Sequence, residues 1–472
     1  MTTADIELMR QATPAACARV LQTMGALAEF PPAWQPRQAP GSGLPTAVDA
    51  RQACLMAAGW TKLSVPSEYE DFEGGGEFTN TIDGWKKYPV PQGPGEIAIT
   101  RHQSLPDQWP PDRHYHHAWY AIGLDLNIAE GQMCWLRFDA VAHACVVFVN
   151  GREAGRHLGG YTPFEFEISG LLQPGVNTMA VWMQDDTAVK DVNQKRAISQ
   201  LDGGRGAIHG HQAGVRGGVY LELRRPVHVA RIRVRTSTRK MSMAVETWLR
   251  GPATGAKIRQ AVYAWPDGDR PVLELPEITA PPADWNPAAP LRTEAPWKDP
   301  RLWSPAHPHL YVLRTTVVVG DQSETIETRF GFREFWIEGR NFMLNGQPIR
   351  LFGDGSHPRQ LQSIVPEKSR DYDRWWLEFW KREFNYSATR LHGVLYPHWA
   401  VEAADEAGVL VINQSGLRCG GLSLYENAVE ELLRNLEQQF GEWYWRDVNN
   451  PSVVIWDVEN ELIRGQRTPT RE

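Results

Sequence analysis

The 472-residue sequence has few cysteines, and their spacing argues against two classes of small stabilised domain. Its five cysteines lie far apart and form no CxxC pair. Disulfide frameworks and zinc sites are typically recognised by paired, closely spaced cysteines. The histidine clusters at 114–117 and 209–211 are predicted to be surface loops. We therefore expect neither a metal ion nor any other cofactor.

Long apolar runs and excess positive charge are also absent. No stretch of about 18 apolar residues occurs, and the first 25 residues lack a basic segment followed by an apolar one. We expect no membrane partner and predict no export signal in the chain as it stands. The net charge of -7 gives no basic surface for phosphate backbones, so no nucleic-acid partner is expected. The native compartment and the oligomeric state stay open.

The composition describes a folded protein with several cores. Hydrophobic residues make up 42% of the chain and charged residues 22%, as in globular proteins. Single cores rarely grow beyond about 250–300 residues, so about three domains are expected. The 20 tryptophans are many for this length. Flat aromatic faces suit sugar stacking, although such residues mostly build cores.

Two successive stretches show the alternation that is typical of β-sandwiches. In the first, short apolar runs recur between turn signals, and Asn150-Gly151 predicts a tight hairpin. In the second, Ala230–Val234 and Leu310–Val318 alternate around a Pro-rich loop, Leu275–Pro300, which cannot be a central strand. The predicted ranges are an N-terminal segment and linker at 1–48, a first β domain at 49–226 and a second at 227–332.

From residue 333 to 472 the sequence predicts a parallel α/β unit. Four strand-like runs are predicted, and helices are predicted between them. The predicted strands are Gln347–Phe352, Tyr386–Leu391, Val409–Ile412 and Val453–Trp456. A (β/α)8 barrel has about 30 residues per unit, so this stretch corresponds to about four units. An open, doubly wound sheet is the alternative, but no Gly-rich phosphate turn follows the first predicted strand.

Several motifs, in order along the chain, resemble glycoside hydrolase family 2. The resembling segments are Arg137–Phe138, Val149–Gly151, Gly155–Phe164, Leu302–Pro305, Pro308–Tyr311, Gly331–Arg333, Leu344–Ile349, Asn450–Trp456 and Asn460-Glu461. The resemblance implies a jelly-roll sugar-binding domain, an immunoglobulin-like β-sandwich and the first half of a (β/α)8 TIM barrel. It also implies a retaining β-glycosidase whose partner is a carbohydrate β-glycoside. Thr389–Gly393 and Ala404–Leu410 resemble the mannosidase and glucosaminidase branch more than the galactosidases, but the sugar and the linkage stay open.

Polar residues at the predicted carboxyl ends of the strands are the candidate site. Catalytic groups of barrel enzymes collect there, and Glu461, just beyond the fourth strand, is placed to be the general acid/base. Asn460 beside it could contact a sugar hydroxyl, and Asp457 and Glu459 are competing carboxylates that could support the site. The resemblance implies that His357, His392 and Gln414 bind sugar. It implies that Arg390 either binds sugar or orients the nucleophile. Asp354 is expected to contact a sugar hydroxyl.

Retaining hydrolysis needs a second carboxylate about 5–5.5 Å from the first. The resemblance implies that this nucleophile lies on a later barrel strand, beyond residue 472. The sequence is accordingly expected to be a fragment with a truncated catalytic domain, and to be inactive alone. Two alternatives are a non-catalytic glycan-binding protein and an adhesive array of β-sandwiches. The intact Asn460-Glu461 pair favours the enzyme over the first, and the α/β half argues against the second.

Overall fold

The structure is a computed structural model in which two antiparallel β units are followed by a small antiparallel sheet and a parallel α/β unit. It describes residues 86–89, 117–126, 128, 130–142, 144–184, 190–191, 196–197, 214–281, 288–356, 366–392, 395–396, 398–417 and 429–460. The predicted N-terminal segment, 1–48, lies outside these residues. Among the described residues, no helix combines the length and apolarity needed to span a bilayer.

The first set of strands packs two antiparallel sheets around one apolar core. One sheet has the order β1-β2-β7-β4-β5 and the other β10-β3-β6, and a separate pair joins β8 to β9. The strands are β1 Lys86–Pro89, β2 His117–Leu126, β3 Met133–Ala142, β4 Ala144–Val149, β5 Arg152–Leu158, β6 Phe164–Glu167, β7 Gly175–Gln184, β8 Lys190–Asp191, β9 Arg196–Ala197 and β10 Gly214–Arg224. The predicted Asn150-Gly151 hairpin is confirmed. Both residues have positive φ, 50° and 75°, the conformation that a two-residue turn of this kind requires.

The second set of strands forms a separate antiparallel unit with its own core. Its sheets have the orders β11-β12-β16 and β14-β13-β17-β18, with β15 paired to β13. The strands are β11 His228–Ser237, β12 Ser242–Arg250, β13 Lys257–Ala264, β14 Pro271–Glu274, β15 Ile278–Thr279, β16 Leu291–Pro296, β17 Tyr311–Val319 and β18 Gln322–Phe330. The described residues of the Pro-rich loop contain no central strand, as predicted, but they do contain the short strand β15 and, at a sheet edge, β16. Leu291, Thr293 and Ala295 are buried on alternate positions there, which is what lets the segment pair with β12.

A three-stranded antiparallel sheet then leads into the α/β unit. It consists of β19 Phe335–Glu338, β20 Asn341–Leu344 and β21 Gln347–Ile349. The prediction that Gln347–Phe352 is the first parallel strand was wrong. Asn345 and Gly346 adopt positive φ and turn residues 347–349 back onto β20, so this run pairs in an antiparallel manner.

The α/β unit has four parallel strands in sequential order with helices between them. The strands are β22 Gly353–Ser356, β23 Ala388–Leu391, β24 Leu410–Gln414 and β25 Val453–Asp457, and the helices are α1 Pro366–Phe384, α2 His398–Ala407 and α3 Val429–Asp447. Gly353, in the first strand, has a steric reason to be glycine, because a Cβ there would lie 1.6 Å from the carbonyl oxygen of Ala388. Helix α2 ends at Ala407, and Gly408 has the left-handed φ of 69° that such a helix end favours.

Trp303 ties the second β unit to helix α2. Its side chain is fully buried, and its indole Nε1 donates a hydrogen bond of 2.9 Å to the carbonyl oxygen of Asp405. This carbonyl belongs to the last turn of α2, where backbone oxygens have no partner within the helix. The indole thus supplies a hydrogen bond that the helix cannot make for itself.

We expect Trp303→Phe to lower the free energy of unfolding by about 1–3 kcal/mol, since a buried carbonyl loses its partner. Urea denaturation of the wild type and the variant measures this difference. Trp248→Phe is the matched control, because the Trp248 indole also donates to a backbone carbonyl, 3.0 Å away, but in an exposed position where water can replace it. Equal losses in the two variants would contradict a special role for Trp303.

Helix α3 contacts both β units. On one side, the Glu442 carboxylate lies 3.2 Å from His157 Nε2 and accepts a 2.6 Å hydrogen bond from Thr162 Oγ1. On the other side, the Tyr444 hydroxyl accepts a 3.0 Å hydrogen bond from Arg233. The side chain of Asn449, just after the helix, makes two hydrogen bonds to the backbone of β11. Its Oδ1 accepts from the nitrogen of Val234, and its Nδ2 donates to the oxygen of Ile232. The helix that precedes β25 is therefore held from two directions.

Candidate active site

Strands β23, β24 and β25 bring polar side chains together at their carboxyl ends. Arg390 lies opposite Ile412, and Gln414 lies opposite Asp457. Because side chains alternate between the two faces of a strand, Arg390, Gln414 and Asp457 share one face of the sheet. The carboxyl ends of parallel strands are where barrel and open α/β proteins place their reactive groups.

Asp457 is the centre of this cluster. Its Oδ2 accepts hydrogen bonds from Arg390 Nε at 2.9 Å and from Gln414 Nε2 at 2.7 Å. Arg390 is 35% exposed and Asp457 23%, so the ion pair is reached by solvent. Its worth for stability is accordingly small, and what it contributes is the orientation of the two side chains that donate to it.

Arg390 and Gln414 extend the cluster in opposite directions. Arg390 Nη2 donates to Asn460 Oδ1 at 3.0 Å. The buried Gln414 amide also donates to the backbone oxygen of Glu459 at 3.1 Å, and its Oε1 lies 2.8 Å from His392 Nδ1. One hydrogen-bonded chain therefore runs from His392 to Asn460 through the Asp457 carboxylate.

The segment after β25 is fixed by the segment after β24. The Ser415 backbone nitrogen donates to the backbone oxygen of Asp457 at 2.8 Å, and the Ser415 hydroxyl donates to the backbone oxygen of Val458. The Asn460 backbone nitrogen donates to the Leu417 oxygen at 2.8 Å, and the Asn460 side chain is nearly buried. Backbone hydrogen bonds thus hold Asn460 in place, one residue before Glu461.

The structure brings together four of the seven site residues that the sequence suggested: Arg390, His392, Gln414 and Asn460. Their roles in binding a ligand remain predictions. Glu461 and His357 lie outside the described residues. The central position of Asp457 was not predicted, although its place on the same alternation face as Glu461 was a usable signal.

Asp354 does not join this cluster. It was predicted to follow the first parallel strand, but it lies inside β22, opposite Thr389. Thr389 precedes Arg390, so its face, and that of Asp354, is the other face of the sheet. The Asp354 side chain is exposed and accepts a 2.7 Å hydrogen bond from the backbone nitrogen of Gly355. No hydrogen bond between described residues links this carboxylate to the cluster.

A second buried network supports β24 from the helix side. The fully buried Asp447 accepts two hydrogen bonds of 2.7 Å from Arg446 and one of 2.9 Å from Asn413, and its Oδ1 lies 3.0 Å from His398 Nδ1. Burial alone would raise the pKa of Asp447, but Arg446 and His398 outweigh it and hold this pKa well below its usual range. Asp447 is thus an anion at the end of α3. It is hydrogen-bonded to Asn413, the residue before Gln414 in β24.

The pKa of His398 is raised, and this predicts a pH-dependent contribution to stability. Burial alone would lower this pKa, but the carboxylates of Glu402 and Asp447 raise it. A histidine whose folded pKa exceeds its unfolded value stabilises fully below the unfolded pKa, about 6.5, and loses this contribution as the pH rises through the folded pKa.

We therefore expect His398→Gln to lower the melting temperature more at about pH 5.5 than at about pH 9, because only the protonated imidazole gains from its carboxylate partners. Thermal melts of both proteins at the two pH values test this. His307→Gln, at an exposed histidine, should show no such difference. A loss from His398→Gln that is the same at both pH values would contradict the prediction.

The described residues contain no group of three or more His, Cys, Asp or Glu side chains that could hold a metal ion. The cluster around Asp457 contains carboxylate, amide, imidazole and guanidinium groups. Such a set can bind hydroxyl groups and can place a proton donor beside them.

Comparison with known proteins finds similarity along most of the chain. The family model described as "Glycosyl hydrolases family 2, sugar binding domain" matches residues 45–198, and that described as "Glycosyl hydrolases family 2" matches residues 227–333. A β-glucuronidase of Paenibacillus borealis is 24% identical over 80% of this chain and 63% of its own length. A β-galactosidase of Priestia megaterium is 26% identical over 71% of this chain and 33% of its own length.

A solved structure of similar fold is the β-glucuronidase of Parabacteroides merdae. It has a TM-score of 0.60 and 20% identity, covering 82% of this chain and 48% of that one. The chain thus spans between about a third and two thirds of the lengths of these three relatives. The two family matches together cover more than half of its residues and follow one another in the order that the sequence motifs suggested. The chain belongs to glycoside hydrolase family 2.

Proposed function

We propose that this chain is the N-terminal part of a retaining exo-β-glycosidase and carries its general acid/base, Glu461. The observation that carries the proposal is the hydrogen bond between Arg390 and Asn460. It fixes the residue just before Glu461 at the carboxyl ends of parallel strands, beside polar side chains of the kinds that can hydrogen-bond a hydroxyl group. The names of the relatives, which are glucuronidases and galactosidases, support a carbohydrate substrate.

The proposed domain division follows the sequence. Residues 49–226 are a jelly-roll sugar-binding domain, 227–332 an immunoglobulin-like β-sandwich and 333–472 the N-terminal half of a (β/α)8 catalytic domain. Two paired antiparallel sheets in each of the first two ranges support this division, as do four parallel strands in the third. The sheet edge at β25 would then continue into further strands of the barrel.

In the proposed reaction, Glu461 protonates the glycosidic oxygen while a second carboxylate attacks the anomeric carbon. The family resemblance assigns that nucleophile to a later barrel strand, beyond residue 472, about 5–5.5 Å from the acid. Water then cleaves the glycosyl intermediate, with Glu461 acting as base. Asn460, together with Arg390 and His392, binds the sugar hydroxyls, whereas Gln414, which is buried and bonded to Asp457, Glu459 and His392, orients His392. His357 and Asp354 are further candidates, of which Asp354 is the weaker because of its position on the opposite face.

The test is hydrolysis of aryl β-glycosides by the full-length enzyme, beginning with β-glucuronides and β-galactosides. We expect turnover of at least one member of the panel, with a first-formed product that retains the β configuration by NMR. An inverted product would contradict the two-step mechanism. Sugar binding without turnover would instead establish a non-catalytic glycan-binding protein.

A further inference from the structure

Residues 157–162, at the end of β5 and in the loop that follows it, pack against helix α3. Every residue of this segment is buried. The His157 imidazole and the Thr162 hydroxyl contact the Glu442 carboxylate at 3.2 Å and 2.6 Å. Between them, Gly159 has a φ of 135°, and a Cβ there would lie 3.0 Å from a side chain of the helix. Glycine therefore lets the backbone adopt this conformation and approach the helix.

Tyr161 is the residue of this segment that enters the α/β unit. The Tyr161 backbone oxygen accepts a 2.9 Å hydrogen bond from Arg446. Its side chain is only 7% exposed and lies in one apolar cluster with Leu395, Leu417, Leu436 and Trp443. These four partners all belong to the α/β unit. A residue of the first β unit thus completes an apolar core of the α/β unit.

Leu417 connects this apolar core with the candidate active site. Its backbone oxygen accepts the 2.8 Å hydrogen bond from the backbone nitrogen of Asn460, the residue before Glu461. Its own backbone nitrogen donates to Ser415 Oγ at 3.1 Å. The position of the Leu417 carbonyl therefore depends on the end of β24 and also on the core around the Leu417 side chain.

We propose that Tyr161 is a positioning residue of the candidate active site, and that it acts through Leu417 on Asn460. This proposal rests on the proposed function and deepens it, because it gives the first β unit a part in placing Glu461. Truncation of a large buried side chain leaves a cavity into which its neighbours partly relax. A shift of Leu417 into that cavity displaces the backbone at Asn460, and a misplacement of about 1 Å can cost about 100-fold in rate.

The first measurement is hydrogen exchange of the full-length protein, read by mass spectrometry on peptides that contain Asn460. We expect Tyr161→Ala to speed exchange at the Asn460 amide at least about tenfold, since this amide loses its fixed acceptor. Phe166→Ala is the matched control, because Phe166 packs against the core of the first β unit itself. It should raise exchange in that unit rather than at Asn460. Unchanged exchange at Asn460 in Tyr161→Ala would overturn the proposal, and so would an equal increase throughout the α/β unit.

The second measurement compares β-glycosides that have poor and activated leaving groups. A displaced Glu461 is a weaker proton donor, so the substrates with poor leaving groups should be affected most. We expect Tyr161→Ala to lower kcat/KM by about 10–100-fold on the poor leaving group and by less than about 3-fold on the activated one. A smaller fraction of folded enzyme would lower both values by the same factor. Equal losses would therefore show a merely structural role and overturn the proposal.

Two further variants keep the test decisive if Tyr161→Ala does not fold. Tyr161→Phe keeps the ring, and its kcat/KM should stay within about 3-fold of the wild-type value on both substrates. A large loss in Tyr161→Phe would overturn the proposal, since packing of the ring would not be the cause. Tyr161→Leu leaves a smaller cavity than Tyr161→Ala and replaces it in both measurements, with the same directions of change expected.

The two measurements separate this proposal from the proposed function. If the wild type hydrolysed no β-glycoside, the proposed function would fail, but hydrogen exchange would still test the connection from Tyr161 to Asn460. If hydrolysis were observed and exchange at Asn460 did not respond to Tyr161→Ala, the assignment of Tyr161 would fail alone.

Discussion

Glu461→Gln in the full-length enzyme is expected to lower kcat/KM by about 10²–10⁴-fold on β-glycosides with poor leaving groups. The amide cannot donate a proton to the departing oxygen. Aryl glycosides with activated leaving groups need less protonation, so they should lose less. Substrate binding should change little, because Gln retains the shape of Glu and Asn460 is held by its own bonds to Arg390 and Leu417. Steady-state kinetics on matched pairs of substrates measures both effects.

Glu437→Gln is a suitable control for this experiment, since Glu437 lies exposed on α3. It should leave the kinetics on both substrate classes unchanged. If Glu461→Gln lost activity equally on good and poor leaving groups, a proton-donor role would be untenable. Glu461 would then act as a charge or as part of the binding surface, and Asp457 or Glu459 would become candidates for the acid.

Asp447→Asn is expected to lower the free energy of unfolding by about 3–5 kcal/mol, since removal of one partner leaves a buried charge without compensation. The Arg446 guanidinium, only 7% exposed, bonds both Asp447 oxygens and would lose its counter-ion. The variant also weakens the hold on Asn413, which adjoins Gln414 in β24. Urea denaturation followed by tryptophan fluorescence measures the change.

Asp321→Asn is the control, because it removes an equal charge from an exposed turn. Its effect should stay within about 0.5 kcal/mol. A loss below about 1 kcal/mol in Asp447→Asn would contradict the prediction. It would mean that water solvates Arg446, or that a neighbouring carboxylate pairs with it, in the variant.

Three of the four parallel strands were predicted: the predicted strand Tyr386–Leu391 contains β23, and the other two show a continuous apolar run. Val453–Trp456 was predicted as a strand and is β25, and Val409–Ile412 differs from β24 by one or two residues at each end. Burial on both faces produces such runs. Strand β22 has the sequence Gly-Asp-Gly-Ser and carries no apolar signal. The pairing of β22 with β23 brings Gly353 close to the backbone of Ala388, and no local sequence pattern reveals this contact.

The same limit applies to the site. Knowing that polar residues at strand ends converge was enough to predict that Arg390, Gln414 and Asn460 lie together. The same reasoning failed for Asp354, because the first parallel strand was predicted to end before this residue. In the structure Asp354 lies inside β22, on the face of the sheet opposite to Arg390. The central position of Asp457 depends on register. An irregularity between Val411 and Ile412 is what brings Gln414 opposite Asp457, and a sequence does not show such a shift.

The contacts of both β units with helix α3 predict that sugar binding at the proposed site and the stability of the two β units are thermodynamically linked. Glu442 and Tyr444 join the helix to the two β units, and Asn449 joins β11 to the turn that leads into β25. Because such coupling is reciprocal, a sugar that orders the segment at Asn460 should also protect the β units against local opening. By the same reasoning, a substitution deep in either sandwich core can weaken sugar affinity without approaching the ligand.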